Sequence, residues 1–600
     1  MLADSDWLFS GRRAPRAFAR ARRYHPVTLK FALRLLIKNG ASGYEEIREV
    51  FPLPCVRYLT NFKNAFKDVQ GVQHDVLEAM RTRARNEKMS AWAKHGIIKW
   101  DAMKCSEGVI ANVRTGELVG FEFEDIASLD HLQHELRALD GEESTPKAAA
   151  KPKVAKYWTE VFFSSVGIGS FSYSVYRMAT SDLCAHHIVN MVHDVLTALD
   201  MHDFIGIGCV CDGASEHRKM QKECGTISVG DVVAALRIGV LDYELMMEHS
   251  GAVEDLSTCG ELKIAFAHPV SGMPVFLMSD PPHLIKKLLS SLYKSSKKGD
   301  AAQSHTTRAM TKYIPHPSGV GEIECPLSLR QARDVWRARN GSRQYALTAN
   351  KLTEEHFAPT ASSRMRVRPA AQVRSRGGAR ARASDVMARD TCAQVLSATM
   401  AGLIREDIAK DPTHAYNFAL AEYCDKSNEY VDIMNGKHGA IFGPFDSKLE
   451  KLTSFARWFE EWDMDLSKRD LTKGQQDEAF ISRLCYFDLR LAVHGFVGMC
   501  RYYLAHGAAG FGKCINPKQC NQDLLEHHFR NVRNASGDAL HPKVAECARA
   551  ARTGTVIRLS CDKKSNSGSA PVVDADQPLL LKSSVKKRAA PATGKENDPN

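Results

Sequence analysis

Three carboxylates in this chain stand where hard divalent cations can be held. Asp101 ends the apolar run Ile97-Ile98-Lys99-Trp100-Asp101, and Asp212 ends the buried-type run 204–211 just before Gly213. Glu526 lies in Asn521-Gln522-Asp523-Leu524-Leu525-Glu526-His527-His528-Phe529, which reads as a helix. Magnesium-type ions prefer oxygen ligands. Two of them about 4 Å apart can hold the attacking and leaving oxygens of an in-line phosphoryl displacement. Acids at strand ends, joined by one from a helix, supply that ligand set. Asp523 precedes Glu526 by three residues, so on a helix both carboxylates face the same way.

Strands and helices alternate around these acids. Residues 25–85 are helical in pattern, with a break at Asn39-Gly40, a short helix over 43–50, Phe51-Pro52-Leu53-Pro54, and a third helix from Cys55. Three short helices with a tight turn suit a helix-turn-helix DNA module and equally a helical cap on a larger domain. Asp101 is expected to end the first strand of a three-strand run, continued by 108–113 and 117–123 across the turn Arg114-Thr115-Gly116. The polar stretch 127–156 reads as a loop, 158–166 as an apolar run before the aromatic segment 171–176, and 181–199 as a helix. Residues 274–278 form another strand, ending on Ser279-Asp280 before Pro281-Pro282 opens a helix. From 290 to 500 the text is mostly helical. The expected fold class is α/β: an RNase H-like catalytic domain whose last acid is delayed by a large helical insertion, preceded by a small helical domain.

The chain has 600 residues, 44% hydrophobic and 25% charged, with a formal net charge of +11. Global disorder, a collagen-like fibre and a coiled-coil rod are excluded by that composition. No apolar stretch reaches the roughly 18–20 residues that span a bilayer, so no membrane partner is expected. The 16 scattered cysteines read as reduced intracellular thiols. The first 25 residues carry six arginines, Arg12 through Arg23, a composition that fits a transit peptide or a nucleic-acid-facing arm.

Six blocks together resemble a family. Ile98-Lys99-Trp100-Asp101-Ala102-Met103-Lys104 with Thr115-Gly116-Glu117-Leu118-Val119-Gly120-Phe121, then Cys211-Asp212-Gly213-Ala214-Ser215, then Ser279-Asp280-Pro281-Pro282-His283-Leu284-Ile285-Lys286, resemble blocks of P-element-type DNA transposases, which include the THAP-domain transposases. Leu352-Thr353-Glu354-Glu355-His356-Phe357 and Met365-Arg366-Val367 resemble that family's inserted guanine-nucleotide domain, and Asn521 to Glu526 its closing catalytic helix. The similarity runs over roughly residues 27–535, in order. The resemblance implies cut-and-paste transposition: Mg²⁺-dependent strand cleavage and strand transfer, with two ions (Mn²⁺ as a substitute) and GTP as an assembly cofactor. By motif, Asp101, Asp212 and Glu526 are the catalytic, metal-binding acids, with Asp523 and Asp280 as further metal candidates. DNA (element ends and target), GTP and further copies of the chain are the implied partners, and the nucleus the implied compartment.

The expected organisation is a basic arm (1–25), a helix-turn-helix-like domain (26–90), the first part of the RNase H-like domain (91–289), a helical GTP-binding-like insertion (290–500), closing helices (501–560) and a disordered basic tail (561–600) with Lys586-Lys587-Arg588. Cys55 is the only cysteine in the first 100 residues, so the resemblance covers the catalytic region without a THAP zinc module. His527 and His528 stand where less polar residues are expected. Ala371-Gln372-Val373 recurs 22 residues later as Ala393-Gln394-Val395, and the Arg-Gly-Ala-rich text between (374–392), with one copy of the repeat, reads as a 22-residue insert or as an ordinary basic loop.

Other signals weigh less. Gly507 to Lys513-Cys514 nearly spells a phosphate-binding loop, but a helical pattern precedes it and Cys514 replaces the required hydroxyl. His186, His187 and His193 share a helix without a carboxylate or Cys at ligand spacing, so solvated histidines are expected there. Cys209 and Cys211 read as small buried residues, and the basic cluster 364–382 as a solvated loop or a phosphate contact. The rival function is a domesticated or decaying transposase-derived protein that binds DNA without cutting it; a GTPase ranks third.

Overall fold

The computed structural model describes Tyr24 and residues 26–63, 70–111, 118–122, 153–167, 171–239, 261–295, 308–316, 321–340, 392–506, 513–535 and 541–560. Ten strands come first: β1 (Gly71–Val72), β2 (His95–Lys104), β3 (Ile110–Ala111), β4 (Leu118–Val119), β5 (Tyr157–Ser165), β6 (Ser172–Thr180), β7 (Ile205–Cys211), β8 (Ile227–Ser228), β9 (Lys263–Ala267) and β10 (Pro274–Ser279). Eight of them form one mixed sheet in the order β1-β6-β5-β2-β7-β10-β9-β8. β2, β5 and β6 pair antiparallel, whereas β7 runs parallel to β2 and β10 parallel to β7. Nearly every residue of β5 and β6 is buried, so both faces of the sheet are covered. That is why these strands read as continuous apolar runs instead of alternating ones.

Two expectations are corrected here. β2 does not end on Asp101 but continues to Lys104, with Asp101 directly opposite Glu160 of β5. Among the described residues of 108–113 and 117–123, the two-residue strands β3 and β4 pair with each other and do not join β2's sheet. The nine-residue β5 takes the place beside β2, and β6 the place beyond it, because both carry far more apolar surface to bury. A hairpin, β11 (Thr311–Pro315) with β12 (Glu322–Pro326), also interrupts the otherwise helical stretch after 290.

At the N-terminal end, the helical range Pro26–Val50 is kinked at Gly40 (φ 72°), where the Asn39-Gly40 break was expected. Helix Val56–Lys63 follows, and the Tyr44 hydroxyl donates to Pro54 O at 2.6 Å between them. Helices Asp523–Ala535 and Val544–Ser560 cover part of the sheet through Leu525, Phe529, Val532 and Val544, packed on Met103, Trp158 and Phe162. His528 reaches Glu160 inside that layer. The fully buried Glu160 accepts from His528 Nε2 (2.9 Å), Trp158 Nε1 (2.8 Å) and Ser174 Oγ (2.7 Å), beside Arg177 at 3.6 Å. Burial alone pushes this carboxyl up, and His528 and Arg177 outweigh that and hold it low. His528 is polar because a buried carboxylate needs a cationic or donor partner.

Helix Arg483–His506 lies against β10 at glycine contacts. A Cβ on Gly495 would collide with Leu277 O, and one on Gly498 would meet Ile264 and Phe276 at 3.0–3.1 Å. Gly495→Ala forces helix and strand apart, and is expected to lower stability by about 3 kcal/mol or more. The shift of the urea midpoint measures this, and an unchanged midpoint would contradict the close packing. The helix ends at His506, consistent with a helical approach to the near-phosphate loop, whose residues 507–512 lie outside the described residues. So do the basic arm apart from Tyr24, residues 127–152 of the expected loop, the inserted-domain blocks 352–357 and 365–367, the segment 374–391 and the tail. Of the repeated tripeptide, the second copy is described, with Val395 buried at the start of a helical stretch. Among the described residues no helix is long and apolar enough to cross a membrane.

Candidate active site

Asp101 and Asp212 are brought together by the parallel pairing of β2 and β7. The Ala102 N–H donates to Asp101 Oδ1 at 2.8 Å. Asp212, one residue past β7, accepts at Oδ1 from Ala214 N–H (2.9 Å) and from His217 Nδ1 (2.5 Å), and His217 Nε2 faces the buried Trp100 indole N–H at 3.2 Å. An indole can only donate, so His217 Nε2 is the acceptor and Nδ1 carries the proton given to Asp212. The chain Trp100–His217–Asp212 fixes one oxygen of Asp212. Among the described residues, the second oxygen of each acid has no protein donor.

The electrostatics match that arrangement. Burial, and then the charge of Asp212, push the Asp101 carboxyl up from 3.8 to about 7. Burial also acts to raise Asp212, but the His217 hydrogen bond and charge, His283 and the Ala214 N–H outweigh it and hold the group well below its ordinary value. Two carboxyls thus share a small space with opposite protonation tendencies, and each offers a hard oxygen donor. That donor set fits a divalent ion of the magnesium class.

Asp280 has a different task. It is 1% exposed, caps helix Pro281–Tyr293 by accepting from His283 N–H (3.1 Å), and also accepts from His283 Nδ1 (2.7 Å) and Gln522 N–H (2.8 Å). Both of its oxygens are therefore engaged, so it orients His283 and the entry to the closing helix. Gln522 in turn donates through Nε2 to Trp100 O at 2.5 Å. Burial lowers and Asp280 raises the His283 pKa, with a net upward shift. His283 acts electrostatically on both Asp101 and Asp212, and its Nε2 stands 4.0 Å from Glu526. Glu526 itself faces Lys286 Nζ at 3.6 Å. Asp523 exchanges hydrogen bonds with Asn521 at the start of its helix. The structure thus joins Asp101 with Asp212, places Glu526 across His283 from them, and gives Asp280 and Asp523 capping and bracing contacts.

Sequence reasoning missed the second layer. Asp488, fully buried, accepts a two-pronged contact from Arg218 (Nε and Nη2, both 2.8 Å) and a third from Lys287 Nζ at 2.8 Å. Lys287 also donates to Asp212 O at 2.8 Å. Gly213, at φ +69°, lets the chain turn here, where a Cβ would stand 2.9 Å from both Asp488 and Lys287. His283 lay in a quoted motif, three residues past Asp280, and His217 two residues beyond the quoted block that ends at Ser215; Asp488 carried no local signal. Outside this site, Cys184, His186 and His187 converge, correcting the expectation that no Cys accompanies those histidines. His193 packs against Phe266 instead.

Because Asp101 holds its proton up to about pH 7 and metal ions bind the deprotonated form, ion binding competes with that proton. The rise in melting temperature caused by Mn²⁺ or Mg²⁺ is expected to grow from about pH 6 to about pH 8. A rise independent of pH over that range would remove Asp101 from the ion's ligands.

No protein-family model matches this chain, and neither does any curated protein. Among solved structures, the Drosophila P element transposase strand transfer complex is similar, with a TM-score of 0.59 over 92% of this chain and 95% of that one. The shared feature is the fold. At 14% identity the likeness carries no residue roles with it. The P-element-transposase-like fold extends over nearly the whole length of both chains, well beyond the central sheet.

Proposed function

We propose that this chain is a P-element-like DNA transposase, with an RNase H-like catalytic domain that cleaves DNA strands and transfers them. The observation that carries the reading is the Asp101–Asp212 pair: two converging carboxylates on adjacent parallel strands, each with an oxygen turned to no protein donor. The sheet supports it. Among β2, β5, β6, β7 and β10, numbered by chain order, the spatial order is third, second, first, fourth, fifth, with the first three antiparallel, as an RNase H-like core requires. DNA as partner is supported by the similar fold of a strand transfer complex.

Asp101, Asp212 and Glu526 would hold Mg²⁺ or Mn²⁺, which when bound neutralises phosphate charge and activates water. The protein's own part is positioning. Trp100 and His217 hold Asp212 in one orientation, Lys287 and Asp488 fix its backbone, and Asp280 aims His283 between the acids and Glu526. GTP-assisted assembly and action as a multimer belong to the same proposal and rest on the resemblance; a helix-turn-helix role for residues 26–90 rests on their helical pattern, and nuclear localisation on the proposed function and the basic Lys586-Lys587-Arg588. The competing reading, a DNA-binding descendant that does not cut, draws on the Glu526–Lys286 contact, which engages the third acid.

Labelled DNA carrying the flanking element ends, incubated with Mg²⁺ with and without GTP, separates the two. Specific nicking by the wild type that disappears in Asp212→Ala is the expected result. Binding without cleavage by either protein would establish the non-cutting reading instead. Binding should weaken steeply with salt, since phosphate contacts release counterions.

A further inference from the structure

Among the described residues, one group of three metal-binding side chains brings its donor atoms within 4.8 Å of one another: Cys184, His186 and His187. It belongs to none of the machinery above, and β6, which leads into it, is separated from β2 by β5. Cys184 is the N-cap of helix Ala185–Met201, with extended backbone (φ −97°, ψ 161°). A capping side chain folds back over the first helical turn, toward positions N2 and N3. Those positions are His186 and His187. Cys184 Sγ accordingly lies 3.1 Å from His186 Nδ1, and the two imidazole rings are 4.1 Å apart, centre to centre.

We propose that Cys184, His186 and His187 form a binding site for a borderline-soft divalent cation, zinc foremost. Thiolate and imidazole suit zinc, whereas the carboxylate pair at Asp101 and Asp212 suits magnesium. With bonds of about 2.3 Å to sulfur and 2.0–2.1 Å to nitrogen, the donors of one tetrahedral ion stand about 3.5 Å apart. The observed donors, within 4.8 Å of one another, lie close to that spacing. All three ligands come from four consecutive residues, so the ion crosslinks no distant elements. Three protein ligands leave the fourth position for water or a donor from another molecule, unlike the closed four-ligand sites that hold folds together. Half-burial of Cys184 and exposure of His186 leave the ion an entry path.

The proposal is tested on the full-length chain, stripped with chelator under reductant and titrated with Co²⁺. One equivalent should produce a thiolate-to-cobalt charge-transfer absorption, which Zn²⁺ then abolishes. Cys184→Ser should remove that absorption, and His186→Ala should weaken Zn²⁺ binding by at least about 100-fold; Cys55→Ser, at an exposed cysteine elsewhere, should leave both unchanged. Unaltered circular dichroism in the variants ties the loss to the ligands. Co²⁺ held by the carboxylates gives no thiolate band, so that site cannot imitate this one. A wild type without the band, or a band that survives Cys184→Ser, would overturn the assignment.

Discussion

Asp101→Asn is expected to make the protein more stable and to abolish its DNA cleavage. Asp101 reaches about 7 because burial and Asp212 penalise its charged form. The folded chain therefore holds this proton more tightly than the unfolded chain does, and stability falls as pH rises from about 4 to about 7. A neutral amide of the same shape removes the repulsion, for a gain on the order of 1–3 kcal/mol at pH 8 and little gain near pH 4. The same change withdraws a charged oxygen from the ion that the proposed reaction needs. Loss of several kcal/mol of charge stabilisation corresponds to a fall of at least about 10³-fold in nicking rate. Melting curves at the two pH values, beside cleavage assays, read both halves. An Asn variant that melts lower than wild type at pH 8, or still nicks, would contradict the arrangement.

Asp488→Ala is expected to be the most damaging single change to stability. It leaves Arg218 and Lys287 around a cavity that held their shared carboxylate, and removing one partner of a buried ion pair costs about 3–5 kcal/mol. Burial works against the charge of Arg218, and Asp488 more than compensates, holding it raised. The loss should extend to function, because Lys287 then has only the Asp212 carbonyl to hold and the turn at Gly213 loosens. Urea unfolding measures the first effect. Asp488→Asn separates the two: it keeps the shape and some acceptor capacity, so its loss should be smaller than that of Ala. Equal stability of wild type and Asp488→Ala would show the cluster to be without weight.

Elements with local signals were legible in the sequence. β7 and β10 are apolar runs closed by Asp212-Gly213 and Asp280-Pro281, and the kink at Gly40 follows from a glycine in a helical pattern. The first two acids of the candidate site were legible for the same reason, since each stands in or directly after a buried run. Pairing was not legible. β2's partner β5 begins 53 residues after β2 ends, whereas 108–123 offered a nearer hairpin, and proximity along the chain misled because buried area decides the sheet. His528 looked out of place until Glu160 supplied the reason. Asp488 was invisible because its meaning comes entirely from Arg218 and Lys287, residues 270 and 201 positions away. Cys184 escapes a search for ligands spaced along a helix because it stands outside the helix, at the N-cap.

The brace between Asp280 and Gln522 has a consequence for how the protein is made. The carboxylate that aims His283 takes one of its hydrogen bonds from a backbone N–H lying 242 residues further along the chain. Ribosomes add about 5–20 residues per second, so this residue is synthesised roughly ten to fifty seconds after Asp280. Until it emerges, β2, β5 and β6 lack the cover of helices Asp523–Ala535 and Val544–Ser560, and Glu160 lacks His528. A nascent or prematurely terminated chain thus carries both early acids without the element that completes their surroundings. If the chain does cut DNA, completion of synthesis is a built-in safety catch.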